Sequence, residues 1–174
     1  VQQLQEKLEG YGDGAKALLQ GKMQGGLAEK SFSPIAANLS VTEGYGPAVE
    51  ALLGAAVEAV TVGDAQTVEE IFSQLAERKI GRVCVKLDSA PEAVGTANDL
   101  PAWLKPALTY VSTANEGKDP LKAVLSASYI VEDIAEFLRW WEGRSDFRFL
   151  QVASTKGETV DSRGIVTGGY KKAN

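Results

Sequence analysis

Thr155-Lys-Gly-Glu-Thr-Val-Asp-Ser-Arg-Gly-Ile-Val-Thr-Gly-Gly169 decides how this chain is read. It sets glycines at 157, 164, 168 and 169, the pattern G-x6-G-x3-G-G. Glycine has no Cβ, so its backbone takes positive φ freely and lets another backbone come close. The runs Glu158–Asp161 and Gly164–Thr167 between these glycines are strand-like. The segment predicts a hairpin followed by a strand with a bare edge. Two readings stand at this point: an edge left open for another chain, or two tight turns and a pliant end.

Upstream, Pro47 suits a first helical turn, where its missing N–H is not needed. Val49, Leu52, Leu53 and Ala56 continue as a helical apolar stripe, and Val57–Val62 reads as a strand. Asp64 is a good N-cap for a second helix, whose stripe is Val68, Ile71, Phe72 and Leu75. Gly81 closes it, and Val83, Val85 and Leu87 alternate as a half-buried strand. Helix, strand, helix, strand is an α/β lobe.

A polar connection covers Asp88 to Pro101. A strand follows near Leu108–Ser112, and Asp119-Pro120 opens a helix carrying Leu121, Val124 and Leu125. Another helix spans Glu132 to Trp141, with Ile134, Phe137, Leu138 and Trp141 apolar; Phe147–Ala153 is a strand and Lys156-Gly157 a turn. At the start, Val1, Leu4 and Leu8 have the spacing of one heptad of a coiled-coil seam or of one turn of amphipathic helix, ended by Gly10, Gly12 and Gly14. Residues 21–33 are glycine-rich and polar, and 32–40 match no clear element.

The 174 residues suffice for one large domain or two small lobes. A net charge of −5 argues against a domain coated in nucleic acid. One cysteine, Cys84, cannot form an internal disulfide and fits a reducing cytosol; it reads as a small core residue. The absence of histidine removes Ser-His and Cys-His nucleophile pairs and most zinc sites. There is no phosphate-binding G-x4-G-K-[ST] loop, and Gly44-x-Gly46-x-x-Val49 lacks the third glycine of a dinucleotide loop. No apolar run is long enough for a membrane helix, and no signal peptide is seen. Seven acids and no base lie between Val41 and Glu77, read as a solvated face. Arg78, Lys79, Arg82 and Lys86 form one basic set and Lys156, Arg163, Lys171 and Lys172 another; either could contact phosphates, and for the first set ordinary surface charge is the stronger reading, while for the second the two stand nearly even. Trp140 and Trp141 are adjacent, so one belongs at a boundary or interface, with stacking on bases the lesser reading. A start at Val1 rather than Met reads as an excised fragment.

The glycine spacing resembles the motif that closes the hinge domain of SMC (structural maintenance of chromosomes) proteins. Leu8-Glu-Gly-Tyr-Gly-Asp-Gly-Ala-Lys-Ala-Leu18 is similar to the opening stretch of bacterial hinges, and Gly44-Tyr-Gly-Pro-Ala-Val-Glu-Ala-Leu-Leu-Gly54 with the run to Val62 is similar to a hinge helix and strand. The three stretches come in the family's order and span nearly the whole chain. The resemblance implies a two-lobed, mixed α/β domain: a coiled-coil stump at 1–9, a first lobe at 10–90, a connection at 91–101 and a second lobe at 102–174. It implies no catalysis and no cofactor in this chain, with ATP and Mg in the parent's distant head domains. It implies a homodimer through Gly157, Gly164, Ile165, Val166, Gly168 and Gly169, weak DNA contact through Lys156, Arg163, Lys171 and Lys172, no membrane, and a cytoplasmic place on the nucleoid. A stand-alone α/β small-ligand or nucleic-acid-binding domain is the alternative.

Overall fold

The computed structural model describes residues 2–3, 11–91, 99–113 and 119–169. Its helices and strands are mixed along the chain, as expected for an α/β domain. In the first half come β1 (Gln2–Gln3), α1 (Asp13–Leu19), β2 (Ser40–Val41), α2 (Gly46–Leu53), β3 (Val60–Val62), α3 (Ala65–Glu77) and β4 (Val85–Leu87). In the second come β5 (Lys105–Pro106), β6 (Val111–Ser112), α4 (Pro120–Val124), β7 (Ser128–Val131), α5 (Ile134–Glu142), β8 (Gln151–Ser154), β9 (Thr159–Asp161) and β10 (Val166–Thr167). Single turns of 3₁₀ helix occupy Gly25–Glu29, Gly54–Glu58 and Ala107–Tyr110.

Local chemistry sets the helix starts. Asp64 accepts from the Thr67 N–H at 2.9 Å, Asp119 from the Leu121 N–H at 2.9 Å and Asp133 from the Ala135 N–H at 3.0 Å. Each satisfies an amide that the first turn leaves without a partner. The Asp119 cap is buried and also accepts from the Thr113 hydroxyl.

Three sheets result. The largest has order β10-β9-β8-β7-β5, with β7 and β8 parallel and its other pairs antiparallel. β3 and β4 form a parallel pair joined through α3. β2 lies antiparallel between β1 and β6. Extended pairing of Gln2–Gln3 with Ser40–Val41 differs from the helical stump expected at 1–9. Backbone ladder bonds along β2 there replace the expected i,i+4 bonds; Leu4 and Leu8 lie outside the described residues.

The cores cut across the expected lobe division. One cluster packs α1, Leu27, β3 and the Ile71–Leu75 face of α3. Another packs α5 and Phe147, Phe149, Val152 and Val160. Between them, Ile35, Leu39, Val41 and the α2 residues Val49, Leu52 and Leu53 pack against Leu121, Leu125, Ile130 and Ala153. Residues 35–59 therefore share a core with residues beyond the 91–101 connection.

Several local expectations are revised. Gly12 caps α1 and Gly14 lies inside it, while Gly10 lies outside the described residues. Gly14 is required by packing, since a Cβ there would stand 2.3 Å from the Arg82 carbonyl oxygen. Residues 57 and 58 belong to a 3₁₀ turn, leaving Val60–Val62 as the strand. The segment near Leu108 is also 3₁₀ up to Tyr110. Phe147 and Phe149 precede their strand and fill the aromatic cluster. Phe72 points away from the α3 stripe and is 51% exposed.

Candidate interaction edge

The glycine segment folds as the predicted hairpin. Val166 pairs with Val160 and Thr167 with Thr159, and the Asp161 N–H donates to the Ile165 carbonyl at 3.1 Å. Ser162, Arg163 and Gly164 thus form a three-residue loop, with Gly164 at φ +86°. Such loops place a residue in the left-handed region, where glycine is unstrained. Asp161 organises the turn. Its carboxylate accepts from the Arg163 N–H at 2.9 Å, from the Ile165 N–H at 3.2 Å and from the Arg163 guanidinium at 2.6 Å. The Arg163 side-chain bond above all holds the Asp161 carboxyl below its ordinary pKa, with the two backbone bonds helping against partial desolvation.

This hairpin ends the five-stranded sheet. In an antiparallel ladder, bonded and non-bonded pairs alternate. Because Asp161 and Ile165 are bonded, Val166 sits in a non-bonded pair, and its N–H and C=O point away from β9. On that side β10 has no neighbour among the described residues. Ile165 is 55% and Val166 50% exposed, so the edge presents apolar side chains as well as free backbone groups. The opposite edge, β5, differs: exposed Lys105 and Pro106 occupy it, a charge and a residue without N–H that discourage strand pairing.

Among the described residues β4 has no strand partner beyond β3. The Val60 N–H donates to the Cys84 carbonyl at 3.0 Å and the Asp88 N–H to the Val62 carbonyl at 2.8 Å. In this parallel register the backbone groups of Cys84 and Lys86 face β3, so those of Val83, Val85 and Leu87 face outward, where the Leu87 carbonyl accepts from the Ala90 N–H at 3.1 Å and the Lys86 ammonium at 2.8 Å. Beside this edge a groove of about 320 Å³ is lined by Phe72, Leu75, Ala76, Gly81, Arg82 and Val83.

The remaining predicted site residues divide. Gly164, Ile165, Val166, Gly168 and Gly169 gather on the free edge. Gly157 does not: it turns the chain between β8 and β9 at φ +89°, against Pro47. Lys156 lies in that same turn and Arg163 in the loop at the other end of β9. The two are not brought together, and Arg163 is bound to Asp161. Lys171 and Lys172 lie outside the described residues. Cys84 is half-buried, and desolvation, then Glu58, pushes its thiol pKa up, which suits an inert core thiol. Trp141 stacks on Phe137 at 5.8 Å between centroids, while Trp140 lies under the Arg144 guanidinium at 4.9 Å. Among the described residues no group of three or more acidic or cysteine side chains could hold a metal, and no helix is long and apolar enough to cross a membrane.

Phe72 and the β4 edge were missed by sequence reasoning. The one signal was that Phe72 widens an otherwise narrow stripe of Val68, Ile71 and Leu75.

The mixed α/β fold is shared with known proteins. The family model for the flexible hinge domain of SMC proteins matches residues 28–140, well over half of the chain. The chain belongs to the SMC hinge family, and that family is a non-catalytic one. Among solved structures, the Geobacillus stearothermophilus SMC hinge domain, crystallised as an asymmetric dimer, matches with a TM-score of 0.73 at 19% identity, over 95% of this chain and 68% of that one. The Pyrococcus furiosus Smc hinge with an extended coiled coil matches with a TM-score of 0.67 at 21% identity, over 91% of this chain and 56% of that one. A structure of the folded elbow of cohesin matches at 0.68 and 17% identity, where the chain spans 23% of the cohesin chain. No curated protein matches.

Proposed function

We propose that this chain joins two copies of an SMC-type protein at the tips of their coiled-coil arms, and that the β10 edge is the joint. The observation that carries the reading is a sheet edge with unpaired backbone groups and two exposed apolar side chains, Ile165 and Val166. Monomeric proteins blunt such edges; this chain blunts β5 and leaves β10 open. Strand addition supplies main-chain hydrogen bonds for affinity and side-chain burial for register. Two-fold symmetry would repeat the contact and close the dimer. Dimerisation of the Geobacillus hinge supports the same use here.

Gly164 and Gly169 serve the joint through conformation, at φ +86° and +107°. Gly168 serves it by leaving room for the Glu158 side chain, whose Cγ would stand 3.3 Å from an added Cβ. Replacing Gly168 and Gly169 by Glu should leave a folded monomer. Circular dichroism of the wild-type form together with a dimeric elution volume would defeat the proposal.

The parent protein, in this reading, is a chromosome-organising ATPase on the nucleoid of the cytoplasm, with ATP and Mg bound in separate heads. Weak, salt-sensitive DNA contact is assigned to Lys171 and Lys172, because Arg163 is already neutralised and Lys156 stands apart. Changing both lysines to Glu should weaken a gel shift at low salt; an unchanged shift removes this part.

A further inference from the structure

We propose that a cleft at the carboxyl end of α5 binds a small zwitterion with an apolar ring, the chemistry of an aromatic α-amino acid. The inference does not depend on the dimer proposed above.

The cleft measures about 500 Å³, within the range of small-molecule sites. α5 ends at Glu142, and residues 143–150 bring the chain back to β8. Trp141, Phe147 and Phe149 give the cleft an apolar wall, and Ser162 of the β9–β10 loop also lines it.

Packing fixes that wall. Phe147 and Phe149 are buried, and their rings stack 5.2 Å apart. Trp141 meets Phe149 edge to face at 4.9 Å and stays half-buried. Backbone bonds hold the returning segment in place. The Arg144 N–H donates to the Trp141 carbonyl at 2.9 Å, the Phe147 N–H to the Arg144 carbonyl at 3.1 Å and the Ser162 N–H to the Leu150 carbonyl at 3.0 Å. The cleft is thus formed before a ligand arrives, which lowers the ordering cost of binding.

Two opposite charges share the cleft, Glu142 and Arg148. Neither is in an ion pair among the described residues, where the pairs are Arg144 with Asp146 and Arg163 with Asp161. Asp146 is the acid next to Arg148 in sequence, and it feels Arg148 through space. Its two carboxylate oxygens are nevertheless taken by the Arg144 guanidinium, at 3.1 and 3.4 Å. Arg148 makes one long bond, to the Ser145 carbonyl at 3.4 Å, so most of its fork is left for another acceptor.

Glu142 is the last residue of α5. A carboxylate there opposes the helix dipole instead of complementing it, so carboxylate and helix end together favour a cation. An ammonium suits the Glu142 end, and a carboxylate suits the Arg148 fork. A phosphate dianion would meet Glu142 and the negative helix end. A simple cation would meet Arg148. A molecule with one charge of each sign satisfies both groups, and a ring beside those charges covers the aromatic wall.

NMR titration of the isotope-labelled chain tests the site, read at the Trp141 indole N–H signal, which Trp141→Phe identifies. Phenylalanine is the probe. Phenylacetate lacks its ammonium, phenethylamine its carboxylate and glycine its ring. Phenylalanine should shift the Trp141 signal saturably at millimolar concentration, with an affinity at least about tenfold above that of each of the others. Glu142→Gln should erase the preference over phenylacetate, and Arg148→Gln the preference over phenethylamine. Both residues are exposed, so both variants should keep the wild-type melting temperature. Absence of a saturable shift with phenylalanine up to about 20 mM overturns the site. Equal affinity for phenylalanine and phenylacetate, or preferences that survive both substitutions, overturns the assignment of the two charges.

Discussion

Gly14→Ala should destabilise the fold more than its single methyl group suggests. The added Cβ would lie 2.3 Å from the Arg82 carbonyl oxygen and 2.7 Å from its carbon, whereas ordinary contact begins near 3.4 Å. Both obstacles are backbone, so no side chain can swing aside. α1 and the strand-leading segment at Arg82 would have to part by about 1 Å. Overpacking of this kind costs about 3 kcal/mol at the upper end of its usual range. Alanine recovers about 1 kcal/mol of helix propensity over glycine. The net loss is about 2 kcal/mol, which for a chain of this size lowers Tm by about 4–8 °C. Thermal unfolding followed by circular dichroism reads this directly. Gly26→Ala is the control: nothing lies within 4 Å of its added Cβ, so its Tm should stay near wild type. A Gly14→Ala melting point equal to wild type, or above it, would refute the packing argument.

Other outcomes follow from single side chains. Asp119→Ala removes a buried cap and the acceptor of the Thr113 hydroxyl, so urea unfolding should show a loss of about 2 kcal/mol; a loss below about 0.5 kcal/mol would mean that the cap is replaced by water. The carboxyls of Asp64, Asp146 and Asp161 are held low chiefly by the Thr67 N–H, by Arg144 and by Arg163 respectively. A depressed native pKa stabilises the fold above the unfolded value near ~3.9 and loses that contribution as pH falls through the native value. Denaturant midpoints should therefore decline on acidification below about pH 4, and less so in Asp161→Asn; identical acid profiles would contradict the assignment for Asp161.

What the sequence made legible were features set by near neighbours. The caps at Asp64 and Asp119, Pro47 at the start of α2, and the hairpin around Gly164 all depend on contacts within four residues, and all stand where the residues place them. The short strands were harder. Ser128–Val131 is buried at every position between β8 and β5, so it shows no alternation to separate it from a helix end. Ile35 and Leu39 join the central core through a segment whose only ladder contact is Pro34 on Val60, and no periodicity marks such a piece. Phe72 illustrates a different limit. An apolar residue at the margin of a helical stripe carries the same letter whether it faces its own core or solvent; only the fold shows that Phe72 is half-exposed. The candidate edge was legible from its glycines. Their reasons were not: positive φ at Gly164 and Gly169 and the seat of Glu158 at Gly168 come from the fold. Neutralisation of Arg163 by Asp161 was hidden too, because partners two residues apart meet only once the turn is made.

The measurement that bears most directly on the joint is the mass of the chain in solution by sedimentation equilibrium at micromolar concentration. The account predicts twice 18.5 kDa, falling to a single chain when Val166 is replaced by Asp. A wild-type mass of one chain, or a two-chain mass that Val166→Asp leaves intact, would contradict it.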